Sequence, residues 1–189
     1  IVSAFLNGKN GFVAGSSWSP DEDIFIPYYN NKEDWRIIIA PHVISEEHLQ
    51  QIEQKYGDGV VRYTKTDEQK VSGARCLIID CFGLLSSIYH YGNVAYVGGG
   101  FGVGIHNVLE AAVWDIPVIF GPNNKHFQEA QALMACGGGF EISDANAFGK
   151  LVDNFAEDKH YLKYCGDKAG HYVKSQAGAT EMILNEVRL

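Results

Sequence analysis

Residues 96–110, YVGGGFGVGIHNVLE, carry the pattern in this chain that is most suited to holding a phosphate group. Glycine permits positive φ and a close approach of the backbone to a ligand. A helix predicted to begin at residue 105 would add free N–H groups and the positive end of its dipole. The pattern therefore predicts a phosphate cradle that includes Gly99, Gly100 and Gly104. A tight turn would use the same glycines.

The spacing of the glycines does not fit the common nucleotide motifs. Gly98, Gly100 and Gly104 give G-x-G-x-x-x-G in place of the dinucleotide fingerprint G-x-G-x-x-G, and no Walker Lys-Ser/Thr pair follows. The run also lies late in the chain and not after the first strand, which argues against an NAD dehydrogenase.

His106, Asn107 and Glu110 follow the glycines and make the segment more specific. Glu110 would lie one turn into the predicted helix, on the side that faces the glycine loop. A carboxylate there can accept hydrogen bonds from ribose hydroxyls, or it can stabilise the positive end of the helix dipole. Residue type alone leaves both interpretations open.

A second polar loop follows the first predicted strand. Ser16 and Ser17 come after Gly15, and their hydroxyls are candidates to hydrogen-bond a phosphate or a carboxylate. The residues after them are explained by a helix start, with Ser19 as the N-cap and Glu22 completing a capping box.

A third loop, residues 121–129, begins with a Gly-Pro turn. It would close over a bound sugar with Asn123, Phe127 and Glu129. Asn123 or Asn124 also suits the N-cap of the next helix.

The sequence does not contain a recognisable set of catalytic residues. The sequence has no G-x-S-x-G nucleophile elbow and no His, Asp or Glu set with metal-ligand spacing. We therefore predict no catalytic residue and no metal site in this chain, and expect it to bind a phosphorylated ligand.

Short apolar runs alternate with helical patterns along the chain. The predicted strands cover residues 11–15, 36–40, 60–64, 76–80, 94–97, 117–120 and 140–142. The predicted helices cover residues 45–56, 83–91, 105–114, 127–136, 144–155 and most of the chain from 159 onward. Residues 66–73 are polar and are predicted to form a loop.

The predicted strands are apolar without alternation, which is typical of strands buried on both faces of a parallel sheet. The alternation of strand and helix, about six times, predicts an α/β fold: a Rossmann-like doubly wound parallel sheet of about six strands. We expect a single domain over residues 1–189. Ligands of such sheets bind at the carboxyl ends of the strands, where the three polar loops lie.

Composition excludes several classes of protein. The net charge is −8, from 15 Lys and Arg against 23 Asp and Glu, so the clustered cations of a nucleic-acid or membrane-surface binder are not expected. No apolar run approaches the roughly 18 residues of a membrane helix. Because the sequence opens on Ile1 and not on Met, we expect a fragment of a longer protein. The four cysteines are expected to be reduced and mostly buried.

Residues 98–130, GGGFGVGIHNVLEAAVWDIPVIFGPNNKHFQEA, resemble the carboxyl-terminal half of 3-deoxy-D-manno-octulosonic acid (Kdo) transferase. The family pattern is a glycine run, H-N-x-L-E, a Pro-Val-x-Phe-Gly-Pro strand and Phe-x-Glu in the next helix. All four occur here in order, and AGSSW at 14–18 and IIIAPH at 37–42 also match. Each motif alone is shared by many two-domain (GT-B) glycosyltransferases, so the combination carries the resemblance.

The resemblance implies a CMP-Kdo-binding domain that forms the carboxyl-terminal half of a GT-B fold. In the family, an amino-terminal domain, absent from this chain, binds the lipid A precursor, carries the membrane anchor and supplies a catalytic carboxylate. Kdo is transferred with inversion in lipopolysaccharide biosynthesis, at the cytoplasmic face of the bacterial inner membrane, without a metal or other cofactor. The isolated domain is expected to be soluble and inactive.

By position, the resemblance places Pro41 and His42 against the nucleotide, residues 82–84 around the cytosine, and residues 107–110 on the phosphate and ribose. Together with the residues named above, the predicted substrate-binding set is Ser16, Ser17, Pro41, His42, Phe82, Gly83, Leu84, Gly99, Gly100, Gly104, His106, Asn107, Val108, Leu109, Glu110, Asn123, Phe127 and Glu129.

Two positions depart from the family pattern. Many members have Arg where His42 stands, so a fixed positive charge is missing, and many have Glu where Leu84 stands, so a polar contact to the base is missing. The alternative enzyme is a UDP-sugar GT-B glycosyltransferase or a UDP-GlcNAc 2-epimerase, which share the fold and a ribose contact of the Glu110 type. A non-catalytic nucleotide-sugar-binding module is the alternative from another class.

Overall fold

The computed structural model describes residues 1–30 and 32–177, which form one parallel β-sheet with helices packed on both faces. The strands are β1 Asn10–Ser17, β2 Trp35–Pro41, β3 Val60–Arg62, β4 Cys76–Ile78, β5 Val94–Val97, β6 Val118–Phe120 and β7 Gly139–Glu141. The α/β doubly wound fold is confirmed, with seven strands among the described residues in place of the expected six or so.

The helices are α1 Val2–Leu6, α2 Ser19–Tyr29, α3 Glu46–Tyr56, α4 Glu68–Val71, α5 Leu85–Ile88, α6 Leu109–Ala112, α7 Gln128–Cys136, α8 Ala145–Glu157 and α9 Lys159–Gln176. Short 3₁₀ turns cover Tyr63–Lys65 and Tyr89–Tyr91. Among residues 1–30 and 32–177, no helix combines the length and the apolar composition needed to cross a membrane. The prediction of helix beyond residue 177 lies outside the described residues.

The strand order is β3-β4-β2-β1-β5-β6-β7. β1 is central, pairing with β2 along one edge and with β5 along the other. The chain crosses from one half of the sheet to the other between β4 and β5. The carboxyl end of the β1–β5 edge is therefore the topological switch point, where doubly wound sheets bind their ligands.

Both faces of the sheet are buried. Val13, Ile38, Leu77, Ala95 and Val118 lie side by side in the strand register and pack on one face, against the core that includes α1 and α7. Their neighbours in sequence point to the opposite face, where α2, α3 and α8 pack. This explains the absence of polar alternation, because each successive side chain enters a core. All four cysteines are free, and two of them, Cys76 and Cys165, are buried.

Two predictions of secondary structure are wrong for local reasons, and one helix was missed. Residues 66–73 include α4, because the Asp67 carboxylate accepts hydrogen bonds from two backbone N–H groups and caps a short helix. The helix predicted over 105–114 is reduced to α6, because the backbone N–H of His106 bonds back to the Gly98 carbonyl, 3.1 Å away, and keeps residues 105–108 in the loop. The short helix α1 was not predicted at all.

The start of α2 also differs from the prediction. Trp18, not Ser19, is the N-cap, and the Asp21 carboxylate accepts from the Trp18 backbone N–H at 2.9 Å. The capping box is thus one residue earlier than expected, because Asp21 and not Glu22 occupies the third helical position. This shift leaves Glu22 free for a different contact in the interior.

Candidate functional site

The site lies where the loops after β1 and β5 meet at the switch point. The Gly98 N–H donates to the Gly15 carbonyl at 2.9 Å, and a Cβ atom at Gly98 would overlap the Ser16 carbonyl. Ser16 itself adopts a positive φ of 52°. The two loops are therefore packed backbone against backbone, and glycine is needed at 98 for this approach.

The glycine loop folds back on itself. The N–H groups of Gly102 and Gly104 both donate to the Gly99 carbonyl at 3.0 Å, and Gly99 and Gly104 have positive φ values of 95° and 122°. Gly100 packs against the backbone of Gly121, in the loop after β6. These glycines thus have structural roles, which fit the tight-turn interpretation, and the ligand-facing groups are found further along the loop.

Asp21 anchors the glycine loop to α2. Its carboxylate is fully buried and accepts hydrogen bonds from the N–H of Gly99 at 2.9 Å, the N–H of Trp18 at 2.9 Å and the hydroxyl of Tyr96 at 2.7 Å. Sequence reasoning missed this residue, because its partners on β5 and in the glycine loop are far away in the chain. Its place in the first turn of a helix was the only available signal.

The end of the loop presents groups suited to an anion and a sugar. The Asn107 side chain accepts from the Leu109 N–H at 3.0 Å and donates to the Glu110 carboxylate at 3.2 Å. Within the part of the chain that the structure describes, the backbone N–H groups of Asn107 and Val108 make no hydrogen bond. Because α6 has only four residues, these loop N–H groups, more than a helix dipole, are the donors that a phosphate would meet.

Three aromatic rings gather at the switch point. The Trp18 ring stacks on the His42 ring with a centroid distance of 4.6 Å, and the His42 ring stacks on the His106 ring at 4.4 Å. The Trp18 indole N–H donates to Nε2 of His106 at 3.3 Å. Burial, reinforced by the nearby His42, lowers the pKa of His106 below its usual 6.5, so this imidazole is neutral at pH 7.

Two cavities lie on either side of these rings. The larger, about 400 Å³, is lined by Ile105, His106, Asn107, Val108, Leu109, Phe127 and Glu129. The smaller, about 270 Å³, is lined by Ser16, Ala40, Pro41, His42, Ile44, Ile79, Cys81, Phe82, Gly83 and Leu85. The structure thus brings most of the predicted substrate-binding residues together, in two groups joined by the His42–His106 contact.

A third cavity, with a volume of about 720 Å³, lies at the opposite end of the strands, around the amino ends of β1 and β2. Its lining includes Lys9, Trp35 and Lys159 and none of the predicted residues. The strand-end cavities are the better candidates, because ligands of doubly wound sheets bind beyond the carboxyl ends of the strands.

Several predicted residues support the site without lining a cavity. Ser17 is fully buried and its hydroxyl donates to Glu22 at 3.0 Å, so it faces the interior. Asn123 does not cap α7, whose N-cap is Phe127, but ties the loop after β6 to the glycine loop by donating to the Gly102 carbonyl at 2.8 Å. Leu84 is the N-cap of α5, and Leu85 takes its place in the lining.

A buried carboxylate lies beneath the loop after β1. Glu22 is fully buried, with its carboxylate 3.0 Å from His48 Nε2 and 3.8 Å from Lys55 Nζ. Burial raises the pKa of Glu22 above 4.5, and His48, Ser17 and Lys55 oppose that rise. Sequence reasoning missed the Glu22–His48 pair, because the contact joins α2 to α3.

Residues 1–30 and 32–177 contain no group of three or more His, Cys, Asp or Glu side chains placed to hold a metal ion. The expectation that the activity needs no metal stays a prediction.

The seven-stranded parallel sheet of residues 1–30 and 32–177 has the fold of the carboxyl-terminal domains of GT-B glycosyltransferases. A solved structure of the C-terminal CMP-Kdo binding domain of WaaA from Acinetobacter baumannii superposes with a TM-score of 0.76, covering 92% of this chain and 93% of that one at 20% identity. At that identity the likeness establishes the fold.

In sequence, the chain is similar to Kdo transferases. The enzyme of Chlamydia muridarum is 30% identical over 177 residues, which cover 89% of this chain and 40% of that protein. A bifunctional glycosyltransferase/methyltransferase of Fusobacterium nucleatum is 25% identical over 162 residues, which cover 82% of this chain and 25% of that protein. A comparison with models of protein families gave no match. The resemblance to the carboxyl-terminal half of Kdo transferase is therefore confirmed, and the chain spans less than half the length of these curated relatives.

Proposed function

We propose that this chain is the donor-binding domain of a Kdo transferase and that it binds CMP-Kdo at the switch point. The observation that carries the proposal is the pair of strand-end cavities on either side of the His42–His106 contact, since a nucleotide sugar has two bulky ends joined by a phosphate. The likeness to a CMP-Kdo binding domain supports the choice of ligand.

The cytosine would occupy the smaller cavity. Phe82 is 82% exposed at its rim, so its ring is free to stack on a base, and Gly83 has a positive φ of 86° that brings the backbone close. The ribose hydroxyls would donate to Glu110. The Kdo group would enter the larger cavity, between Phe127 and Glu129.

The phosphate would lie between the two cavities, near the free N–H groups of Asn107 and Val108. In the proposed reaction, the acceptor oxygen forms a bond to the anomeric carbon of Kdo on the face opposite the phosphate. The bond from that carbon to the phosphate oxygen breaks, its electron pair leaves with CMP, and the acceptor proton passes to a base. The N–H groups would stabilise the charge that develops on the departing phosphate.

The base, the lipid A precursor and the membrane contact belong, in this proposal, to a domain outside this chain. The reaction would then take place at the cytoplasmic face of the inner membrane, with residues 1–189 supplying the donor site alone. No metal, no other cofactor and no nucleic-acid partner enter the proposal.

Isothermal titration of the chain with CMP, UMP and NAD, each up to millimolar concentration, tests the donor site. We expect CMP to bind most tightly, and Glu110→Ala to weaken CMP by at least about tenfold, because the ribose contact is lost. Glu157→Ala is the matched control, since Glu157 is an exposed carboxylate at the end of α8.

Each other outcome of the titration decides a different point. Tighter binding of UMP would replace CMP-Kdo with a UDP-sugar donor. Equal weakening by Glu110→Ala and Glu157→Ala would remove the ribose role from Glu110. Absence of binding by all three compounds would contradict the donor-site proposal.

A further inference from the structure

The two imidazoles at the switch point come from different loops. His42 follows β2 and lines the smaller cavity, whereas His106 follows β5 and lines the larger one. Their rings are stacked, with centroids 4.4 Å apart and planes 26° from parallel. The linking group of a ligand that occupies both cavities would therefore lie next to these two rings.

The tautomer of His106 follows from its partner. An indole N–H only donates, so Nε2 of His106 accepts the bond from Trp18 and carries a lone pair. The neutral ring therefore holds its proton on Nδ1. Two cationic rings in stacked contact repel each other, so a charge on one ring opposes a charge on the other.

Among residues 1–30 and 32–177, the basic side chains that line the two cavities are histidines. In the part of the chain that the structure describes, no Lys or Arg side chain lines either one. The anionic groups that face His106 are Asp21 on α2, Glu110 on α6 and Glu129 across the larger cavity. Cys81 lines the smaller cavity beside His42.

The neighbouring carboxylate of Asp21 is already occupied. It accepts three hydrogen bonds and fixes the loops, so it is not available to neutralise a proton on the imidazole pair by direct contact. A phosphate that enters the crevice would bring a further anion to the imidazole pair.

We propose that His42 and His106 form a one-proton cationic subsite for the phosphate of the nucleotide, and that this pair takes up a proton from solvent when the phosphate binds. The inference rests on the proposed donor site and adds how its phosphate is held. A phosphate anion within a few Å stabilises the protonated ring, and no covalent bond is made or broken in the step.

The proposal fixes the sign of the pH dependence. Because binding of the phosphate requires a proton from solvent, the affinity for CMP should fall as the proton concentration falls. The expected decrease is up to about tenfold for each pH unit above neutrality. The second ionisation of CMP itself lies near pH 6, so titrations between about pH 7 and 8.5 avoid it.

Calorimetry of CMP binding in two buffers of different ionisation enthalpy counts the protons taken up. We expect an uptake above zero and at most one proton for the unaltered chain. His42→Arg supplies a permanent charge, so it should bind CMP with no uptake and a flat pH profile. His160→Asn, an exposed histidine on α9, is the control and should keep the uptake.

The outcomes separate this inference from the proposed function. Binding of CMP that is independent of pH, without proton uptake, would overturn the one-proton subsite and leave the donor site standing. Uptake of equal size with cytidine, which has no phosphate, would also overturn it. Failure of CMP to bind at every pH would overturn both.

Discussion

Gly98 and Gly100 have no room for a side chain. A Cβ atom at Gly98 would overlap the Ser16 carbonyl, and one at Gly100 would lie 2.5 Å from the backbone nitrogen of Gly121. In both cases the obstacle is backbone, which cannot turn away as a side chain can. Gly102 differs, because the nearest atom to an added Cβ lies 3.8 Å away.

We predict that Gly98→Ala lowers the free energy of unfolding by about 1–3 kcal/mol, the usual cost of adding atoms to a closely packed site. Gly102→Ala, four residues along the same loop, should change it by less than about 0.5 kcal/mol, as expected away from close contacts. Urea denaturation of both variants measures the difference. Equal losses would show that the glycine loop is not packed as described.

The sequence indicated which loops to consider for the candidate site but not how those loops are held in place. Pro41, His42, Phe82 and Glu129 were candidates because they follow strands or match the family motifs, and the structure places them at the two cavities. Trp18, Asp21, Glu22 and His48 were missed. Their partners lie on other elements, and a single sequence carries no signal for such contacts.

Among the elements, the first turn of α2 does more than begin a helix. Its two acidic residues, Asp21 and Glu22, are fully buried and reach β5, the glycine loop and α3. Acidic residues in a first turn normally stabilise the helix dipole at the surface. Here they connect the loops after β1 and β5 to α3, so α2 positions the site.

We predict that Asp21→Ala destabilises the chain by about 2–4 kcal/mol, because the Gly99 N–H and the Tyr96 hydroxyl would be buried without partners. Hydrogen exchange at residues 98–102 should become faster. Asp144→Ala is the matched control: it removes an exposed N-cap carboxylate from α8 and should cost about 1 kcal/mol. Unchanged exchange in the glycine loop of Asp21→Ala would contradict the anchoring role.

Elements with a clear apolar or amphipathic pattern were predictable, including the three-residue strands β3, β4, β6 and β7, whereas the short helices α1 and α4 were not. The apolar runs of β1, β2 and β5 and the amphipathic helix α3 lie where the sequence indicated. Helix α4 depends on the Asp67 cap, and α6 begins late because His106 in the loop before it bonds back to the Gly98 carbonyl. Hydrophobic periodicity does not report such effects.

For the whole molecule, the Glu22–His48 pair links stability to pH. The raised pKa of Glu22 means that the folded chain keeps this proton at a pH where the unfolded chain has lost it. The contribution of Glu22 to stability is then fully present below about pH 4.5 and declines as pH rises toward the folded pKa.

We therefore predict that the stability of the unaltered chain relative to Glu22→Gln falls as pH rises from about 4.5 to 7.5, by at most about 1.4 kcal/mol per pH unit. Glutamine keeps hydrogen bonds to Ser17 and His48 but cannot ionise. Urea denaturation of both forms across this range provides the measurement. Glu157→Gln, at an exposed position, should give no such trend. If the stability of the unaltered chain relative to Glu22→Gln instead rose with pH, the assignment would be refuted.

The strand order also determines when each edge of β1 can be paired during synthesis of the chain. β1 can pair with β2 soon after both have left the ribosome, but its other edge stays unpaired until β5, which begins at Val94, has been made. At 5–20 residues per second, that edge stays open for roughly 4 to 15 seconds. An apolar strand with an unpaired edge is a template for pairing with other chains, so the nascent protein should be most dependent on chaperones during this interval.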